Sequence, residues 1–99
     1  MEIMKAMSKA IAQRTGKPES YIAVSISDQA DVIFGGSDAP TALGVLYSIG
    51  AISIESNGGI TSDVTDLLEP YGVEANRIYI NFFDMPRANV GWSRKTFAG

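Results

Sequence analysis

The sequence predicts a mixed α/β (α+β) fold, built as a single domain over residues 1–99. Apolar residues recur at helical spacing in two segments and alternate with the period of a β-strand in others. These segments follow one another as helix, strand, strand, helix and strand, so the second half of the chain contains a complete β-α-β unit. Hydrophobic residues make up 45% of the chain and charged residues 19%, which is enough apolar material for one core.

The first helix is predicted over residues 1–15. Gly16 and Pro18 mark its end, because a glycine accepts the left-handed conformation that closes a helix and a proline cannot continue it. The helix would begin almost at Met1, with no preceding residue to cap it, which is unusual for a complete domain. Its apolar face is formed by residues spaced four apart, Ile3, Met7 and Ile11.

The second helix is predicted over about residues 60–69. Residues 56–59 are predicted to form a loop that caps it, because they include two consecutive glycines. Pro70 is predicted to end it, since a proline disfavours helical geometry at the residue before it.

Three segments are predicted as strands. Residues 20–27 and 77–83 alternate between two faces. Residues 41–49 are apolar almost throughout, which predicts a central strand buried on both faces. In the last strand the two faces are Ile78, Ile80 and Phe82 against Tyr79, Asn81 and Phe83.

Charge and composition exclude several classes of function. A net charge of −3 argues against nucleic acid or an anionic membrane as the main partner. The chain has no cysteine and no histidine, which removes disulfides, thiolate nucleophiles and the commonest general base and metal ligand. The sequence therefore predicts no metal and no cofactor. Because no apolar run has membrane length and no signal peptide is recognisable, it predicts a soluble, cytoplasmic protein.

Five short strings occur in a fixed order along the chain, namely TGKPESYIAV (15–24), FGGSDAP (34–40), SIG (48–50), NRIYINFFDM (76–85) and NVGW…TF (89–97). In this order and spacing they resemble the macrophage migration inhibitory factor (MIF) and D-dopachrome tautomerase family of the tautomerase superfamily. The resemblance runs from the first helix to the end of the chain. It implies a pseudo-duplicated β-α-β protomer with a mixed sheet, assembled as a homotrimer. It also implies that Val32–Phe34 and Val90–Trp92 are short edges that pair between subunits.

The activity that the resemblance implies is keto–enol tautomerisation of phenylpyruvate-like and dopachrome-like compounds, an isomerase reaction. The family base is an amino-terminal proline at the start of the first strand, whose amine has a low pKa. In this sequence Glu2 follows Met1, and the first strand and its proline are missing. No catalytic residue is therefore assigned. The sequence is either a truncated or alternatively started form, or a variant that has lost the chemistry.

The resemblance transfers a set of substrate-binding residues to this chain. It implies that Lys17 meets the substrate carboxylate and that the backbone of Ile49 faces the substrate. It also implies that Tyr79 and Asn81, which project from the same strand face, come from a neighbouring subunit. The complete set is Lys17, Tyr21, Ile49, Tyr79, Asn81, Val90, Trp92 and Phe97.

Each of these residues also has a plainer interpretation. Lys17 could complement the dipole at a helix C-terminus, and Ile49 could be an ordinary core residue. Tyr79 and Asn81 could form a solvent-facing polar stripe. Trp92 could anchor a subunit interface instead of lining a pocket.

The function predicted is a MIF-type protein with an aromatic keto-acid pocket and weak or no phenylpyruvate tautomerase activity as written. The alternative is a cytokine-like or other protein-interaction module that acts on a protein receptor through the trimer surface. Vertebrate relatives are secreted without a signal peptide, so secretion stands beside the cytoplasm as a second location. A third possibility is a remnant less stable than a longer relative, because loss of a strand leaves backbone groups unpaired.

Overall fold

The structure, a computed structural model, describes residues 1–28 and 30–99. Two long helices pack against each other, and two long strands form a parallel pair that the second helix connects. The long elements are α1 (Glu2–Thr15), β1 (Ala42–Ser48), α2 (Ile54–Leu68) and β2 (Ile78–Asp84). A short antiparallel hairpin follows, made of β3 (Gly91–Trp92) and β4 (Lys95–Thr96). Single 3₁₀ turns occupy Glu19–Tyr21, Glu69–Tyr71, Ala75–Arg77 and Arg87–Asn89.

The first helix and the β-α-β unit confirm the predictions from periodicity. Gly16 closes α1 with a φ of 72°, and its N–H donates to the carbonyl of Ala12. In the parallel pair, Ala42 lies opposite Ile78 and Ser48 opposite Asp84. The side chains of both strands alternate between a face turned to the helices and a face turned away from them.

The core of the single chain is small. Ile60 and Val64 of α2 and Ile78 of β2 are its buried hydrophobic residues in the described part of the chain. The other face of β1 is open, since Leu43, with 60% of its surface exposed, points away from the helices. The prediction that 41–49 is buried on both faces is therefore wrong for one chain by itself.

The second helix begins earlier than the sequence predicted. Ser53 caps α2 by accepting a hydrogen bond from the N–H of Ser56 at 3.0 Å. Residues 56–59 are thus helical and do not form a loop. The side chain of Arg14 explains the second glycine, because a Cβ at Gly59 would lie 2.9 Å from its Cδ. The glycine provides the space in which α1 and α2 meet.

Three predictions about strands are also wrong or incomplete. Residues 22–28 follow a 3₁₀ turn and have no regular secondary structure, although their alternation predicted a strand over 20–27. A strand requires a hydrogen-bonded neighbour, and none lies along 22–28 in the described part of the chain. Val32–Phe34 contributes only a bridge between Phe34 and Ser37. The second strand of the terminal hairpin, β4, was not predicted.

The glycines of α2 allow a matched test of its contact with α1. Gly58 has no atom within 4 Å of the position of an added Cβ. Gly58→Ala should therefore raise the free energy of unfolding by up to about 1 kcal/mol, the difference in helix propensity. Gly59→Ala gains the same propensity but displaces Arg14, so its gain should be smaller or reversed. Urea unfolding of both variants measures the difference, and equal gains would contradict the close approach.

An ion pair joins the two helices. Arg14 donates two hydrogen bonds to Asp63, from Nε at 2.8 Å and from Nη2 at 3.1 Å. These hydrogen bonds hold the pKa of Asp63 below its ordinary value, against partial desolvation, and the positive charge of Arg14 adds to the lowering. The folded chain therefore favours the ionised carboxylate.

The lowered pKa of Asp63 predicts a pH dependence of stability. A carboxylate whose pKa is lower in the folded chain stabilises it above the unfolded pKa of about 3.9, and this contribution is lost as pH falls through the folded pKa. Asp63→Asn should lower the melting temperature at neutral pH, and the difference from wild type should shrink below about pH 4. The control is Asp66→Asn, because Asp66 is an exposed aspartate three residues after Asp63 in the same helix. A difference between wild type and Asp63→Asn that stays constant to pH 2 would contradict the prediction.

Candidate functional site

Three aromatic side chains from opposite ends of the sequence meet on the surface. The rings of Tyr21 and Trp92 lie 5.4 Å apart in an edge-on arrangement, and Phe97 stacks on Trp92 at 5.6 Å. Tyr21 also contacts Phe97, with ring centroids 6.0 Å apart. Tyr21 and Trp92 each keep 52% of their surface exposed. We call Tyr21, Trp92 and Phe97 the aromatic cluster, and it presents ring surface to solvent that a flat ligand can cover.

The terminal hairpin places two members of this cluster. Ser93 and Arg94 connect β3 to β4 with φ values of 52° and 69°, the backbone of a tight two-residue turn. Trp92 ends the first strand and Phe97 follows the second. The N–H of Phe97 donates to the carbonyl of Val90 at 3.1 Å, which extends the ladder by one step. Val90, another predicted site residue, thereby lies directly across from Phe97.

Lys17 lies between α1 and the turn that carries Tyr21. It follows Gly16, and its N–H makes a long contact of 3.4 Å with the hydroxyl of Thr15. Its side chain is half-buried and forms no salt bridge within the described residues. The ammonium group can therefore meet an anion, although its position at the end of α1 also suits the helix dipole.

Tyr79 and Asn81 project from the open face of the sheet, away from the helices. Tyr79 lies opposite Leu43 and keeps 62% of its surface exposed, while Asn81 lies opposite Val45. The ring of Tyr79 packs against Phe34, with centroids 4.9 Å apart. Further along the same face, Tyr47 stacks on Phe83 at 5.2 Å. These two aromatic pairs, which the sequence did not predict, flank the amide of Asn81.

Ile49 lies at the other end of the sheet, in a corner held by hydrogen bonds. The N–H of Met85 donates to the carbonyl of Ser48 at 2.7 Å, and the N–H of Gly50 donates to the carboxylate of Asp84 at 2.9 Å. Ala51 continues the corner with a φ of 58°, a conformation that side chains other than glycine rarely adopt. The backbone around Ile49 is thus fixed by the end of β2.

One chain does not bring Ile49 together with Tyr79 and Asn81. Since Tyr79 pairs with Leu43 and Asn81 with Val45, the strand register separates them from Ile49 by about 20 Å and about 13 Å, at about 3.3 Å per residue. A cavity shared by these residues therefore requires two chains. The arrangement that the family resemblance implies, with Tyr79 and Asn81 supplied by a neighbour, is compatible with this separation.

The grooves on the helix side do not involve the predicted site. An open groove of about 580 Å³ runs between α1 and α2, and Arg14 and Asp63 are part of its lining. A second groove of about 440 Å³ lies near Ser53 at the start of α2. None of the eight predicted site residues lines either groove.

Residues 1–28 and 30–99 contain neither a cluster of metal-ligating side chains nor a membrane-spanning helix. No group of three or more aspartates and glutamates there lies close enough together to hold a metal ion. In the same residues, no helix has both the length and the apolar character needed to cross a bilayer.

The fold is found in many known proteins. A MIF homologue from Prochlorococcus marinus has a TM-score of 0.89 and 31% identity, over 97% of this chain and 85% of that one. The Toxoplasma gondii MIF has a TM-score of 0.86 and 32% identity, over 96% of this chain and 84% of that one. A fused 4-OT protein described as an asymmetric trimer shares the fold at 15% identity, with a TM-score of 0.77. The architecture is therefore that of the MIF-like tautomerase fold.

The sequence comparisons assign the family. The family model described as macrophage migration inhibitory factor (MIF) matches residues 1–98. A MIF homologue from Trichuris trichiura is 41% identical over 98% of this chain and 86% of its own length. The Xenopus laevis MIF is 40% identical over 97% of this chain and 84% of its own length. The chain belongs to the macrophage migration inhibitory factor family, as the five short strings predicted.

Proposed function

We propose that this chain binds a small aromatic 2-keto acid in a pocket formed between neighbouring copies of a homotrimer. The observation that carries the proposal is the aromatic cluster, because Tyr21 lies far along the chain from Trp92 and Phe97 and yet forms one ring surface with them. Exposed aromatic rings that cluster around few polar groups are typical of sites for flat ligands. Membership of the MIF family supports the same type of ligand.

The polar groups of the proposed pocket have complementary roles. Lys17 pairs with the ligand carboxylate, since its ammonium forms no salt bridge in the described part of the chain. Tyr79 and Asn81 of the neighbouring copy donate hydrogen bonds to the ketone or carboxylate oxygens. The backbone at Ile49 forms the opposing wall. Assembly also covers the open face of the sheet, which otherwise leaves side chains such as Leu43 and Tyr79 in water.

Keto–enol tautomerisation needs a group that removes a proton from carbon and returns one to the carbonyl oxygen. In the proposed mechanism an amino-terminal proline would act as this base, and the 99-residue polypeptide carries Met1 and Glu2 in its place. Its four prolines are internal tertiary amides, which have no basic nitrogen: Pro18, Pro40, Pro70 and Pro86. Because a positioned general base contributes about 10²–10⁴-fold to such reactions, we expect this polypeptide to bind phenylpyruvate with turnover reduced by that factor.

The test uses recombinant 99-residue protein whose first residue is verified by mass spectrometry. Light scattering should give about three times the 10.6 kDa of one chain. Phenylpyruvate should quench the fluorescence of Trp92, the chain's single tryptophan, while enolisation remains slow. Absence of binding would contradict the pocket, and rapid enolisation would contradict the requirement for a terminal proline.

A second candidate is a protein-interaction role on the surface of the assembly. It is favoured by the relatives, whose names describe an effect on macrophage migration. Blocking the pocket with a tight aromatic ligand and measuring receptor binding would separate the two candidates. Interaction that survives blocking supports the surface role.

A further inference from the structure

Arg77 has hydrogen-bond partners for each of its three side-chain nitrogens. It is the last residue of the 3₁₀ turn that leads into β2. Its donors reach the turn formed by residues 34–41, which is more than thirty residues earlier in the chain. The acceptors are the carbonyls of Phe34 (3.2 Å), Ser37 (3.0 Å), Ala39 (3.0 Å) and Pro40 (3.1 Å) and the hydroxyl of Thr41 (2.7 Å).

The same guanidinium group also contacts an aromatic ring. It lies 5.2 Å from the centroid of Phe34, within the range of a cation–π interaction. The ring of Phe34 packs in turn against Tyr79, with centroids 4.9 Å apart. Arg77 therefore holds Phe34 through both the carbonyl and the ring of Phe34. The ring of Phe34 in turn packs against one side of the Tyr79 ring.

The hydrogen bonds within the turn at residues 34–37 determine its backbone conformation but do not attach it to β2. Gly35 and Gly36 have φ values of 59° and 78°, and two hydrogen bonds between Phe34 and Ser37 close the turn. Within the described residues, every side-chain hydrogen bond between residues 34–41 and β2 or the turn before it is donated by Arg77. Removing this side chain would leave the turn closed but would free its position relative to Tyr79.

We infer that Arg77 is a positioning residue for the keto-acid site, which it serves by holding Phe34 against Tyr79. The inference rests on the proposed function, because it assigns Tyr79 a role toward the ligand. Arginine suits this position since its planar fork can meet several carbonyls while its face covers a ring. Lysine keeps the charge but offers one ammonium group, which cannot reach acceptors spread over residues 34–41.

The experiment is a double-mutant cycle on the assembled protein. Phenylpyruvate affinity is measured by calorimetry for wild type, Arg77→Lys, Phe34→Leu and the double variant. We expect each single variant to bind about tenfold more weakly, the loss typical of one polar or aromatic contact. If Arg77 acts through Phe34, the double variant should bind no more weakly than the weaker single variant. Arg14→Lys is the control, because it alters another hydrogen-bonded arginine, which lies on the helix side and away from Phe34 and Tyr79.

A structural readout separates this inference from the proposed function. The nuclear Overhauser effect between the rings of Phe34 and Tyr79 should weaken in Arg77→Lys and persist in Arg14→Lys. If wild type binds no phenylpyruvate, the proposed function fails, and the ring contact still tests the positioning. Wild-type affinity in Arg77→Lys, fully additive losses, or an unchanged ring contact would each overturn the inference. If Arg77→Lys does not fold, Thr41→Val, which removes the closest acceptor and leaves the other four, takes its place, and a smaller loss in the same direction is expected.

Discussion

Ile60→Ala is expected to lower the free energy of unfolding by about 2–5 kcal/mol, a large part of the stability of a small domain. Ile60 is a residue of α2 that keeps only 1% of its surface exposed. Replacing it removes apolar contacts and leaves a cavity that surrounding side chains fill only in part. Chemical unfolding followed by circular dichroism at 222 nm measures the loss.

The control for this prediction is the same substitution at the start of the same helix. Ile54 keeps 95% of its surface exposed, so Ile54→Ala should change the free energy of unfolding by less than about 0.5 kcal/mol. If both variants lose the same stability, Ile54 must be buried by another chain, and the core around Ile60 would not be the main source of stability.

Trp92→Ala is expected to weaken phenylpyruvate binding by at least about tenfold. Trp92 contacts both other rings of the aromatic cluster, Tyr21 edge-on and Phe97 by stacking. Its removal takes away the largest ring surface offered to the ligand and also the support of its neighbours. Calorimetric titration measures the change in affinity, because the variant has no tryptophan to report by fluorescence.

An exposed aromatic residue elsewhere controls for a general loss of ring surface. Tyr71 lies in the turn after α2, far along the chain from the cluster, and keeps 65% of its surface exposed. Tyr71→Ala should bind phenylpyruvate as wild type does. Unchanged affinity in Trp92→Ala would exclude the aromatic cluster as the ligand platform and would favour Trp92 as an interface anchor.

The parts of the fold that could be predicted from the sequence are those decided by local pattern. The spacing of apolar residues in α1 and the alternation in β2 depend on the chain's own periodicity, and both predictions were correct. The start of α2 was missed because Gly58 and Gly59 are usually helix breakers. The reason for Gly59 is Arg14, a residue of another helix, and no local pattern reveals that contact.

The remaining differences between the predicted and observed strands depend on which segments lie next to each other in the fold. Residues 20–27 alternate as a strand does, but alternation only describes a surface, and a strand forms only where a neighbour pairs with it. Val90–Trp92 was predicted as a short edge, but its pairing with β4 was missed because the turn, Ser93 and Arg94, lacks the Asn-Gly or Asp-Gly pair that predicts a hairpin. Its residues adopt positive φ values because the flanking strands pair.

The family strings supplied a set of residue types for the candidate site, and the sequence did not predict their geometry. Family strings placed Tyr21, Trp92 and Phe97 together, and the structure brings their rings into contact. The role of Arg77 was not predicted, because its partners are mostly backbone carbonyls more than thirty residues away. Backbone carbonyls are present at every residue, so the sequence does not distinguish these acceptors from others. A single arginine directly before a strand predicts nothing by itself.

The shallow packing of α1 has a consequence for the order in which the chain comes apart. No residue of α1 is buried, and its specific hydrogen bonds to α2 are those of Arg14 with Asp63 and with the hydroxyl of Ser56. In residues 1–28 and 30–99, the buried residues all belong to the continuous segment 42–84. Elements with few buried contacts open first in native proteins. We therefore expect the least costly fluctuation to be an undocking of α1, which bares the apolar sides of both helices to proteases while the parallel strands stay paired.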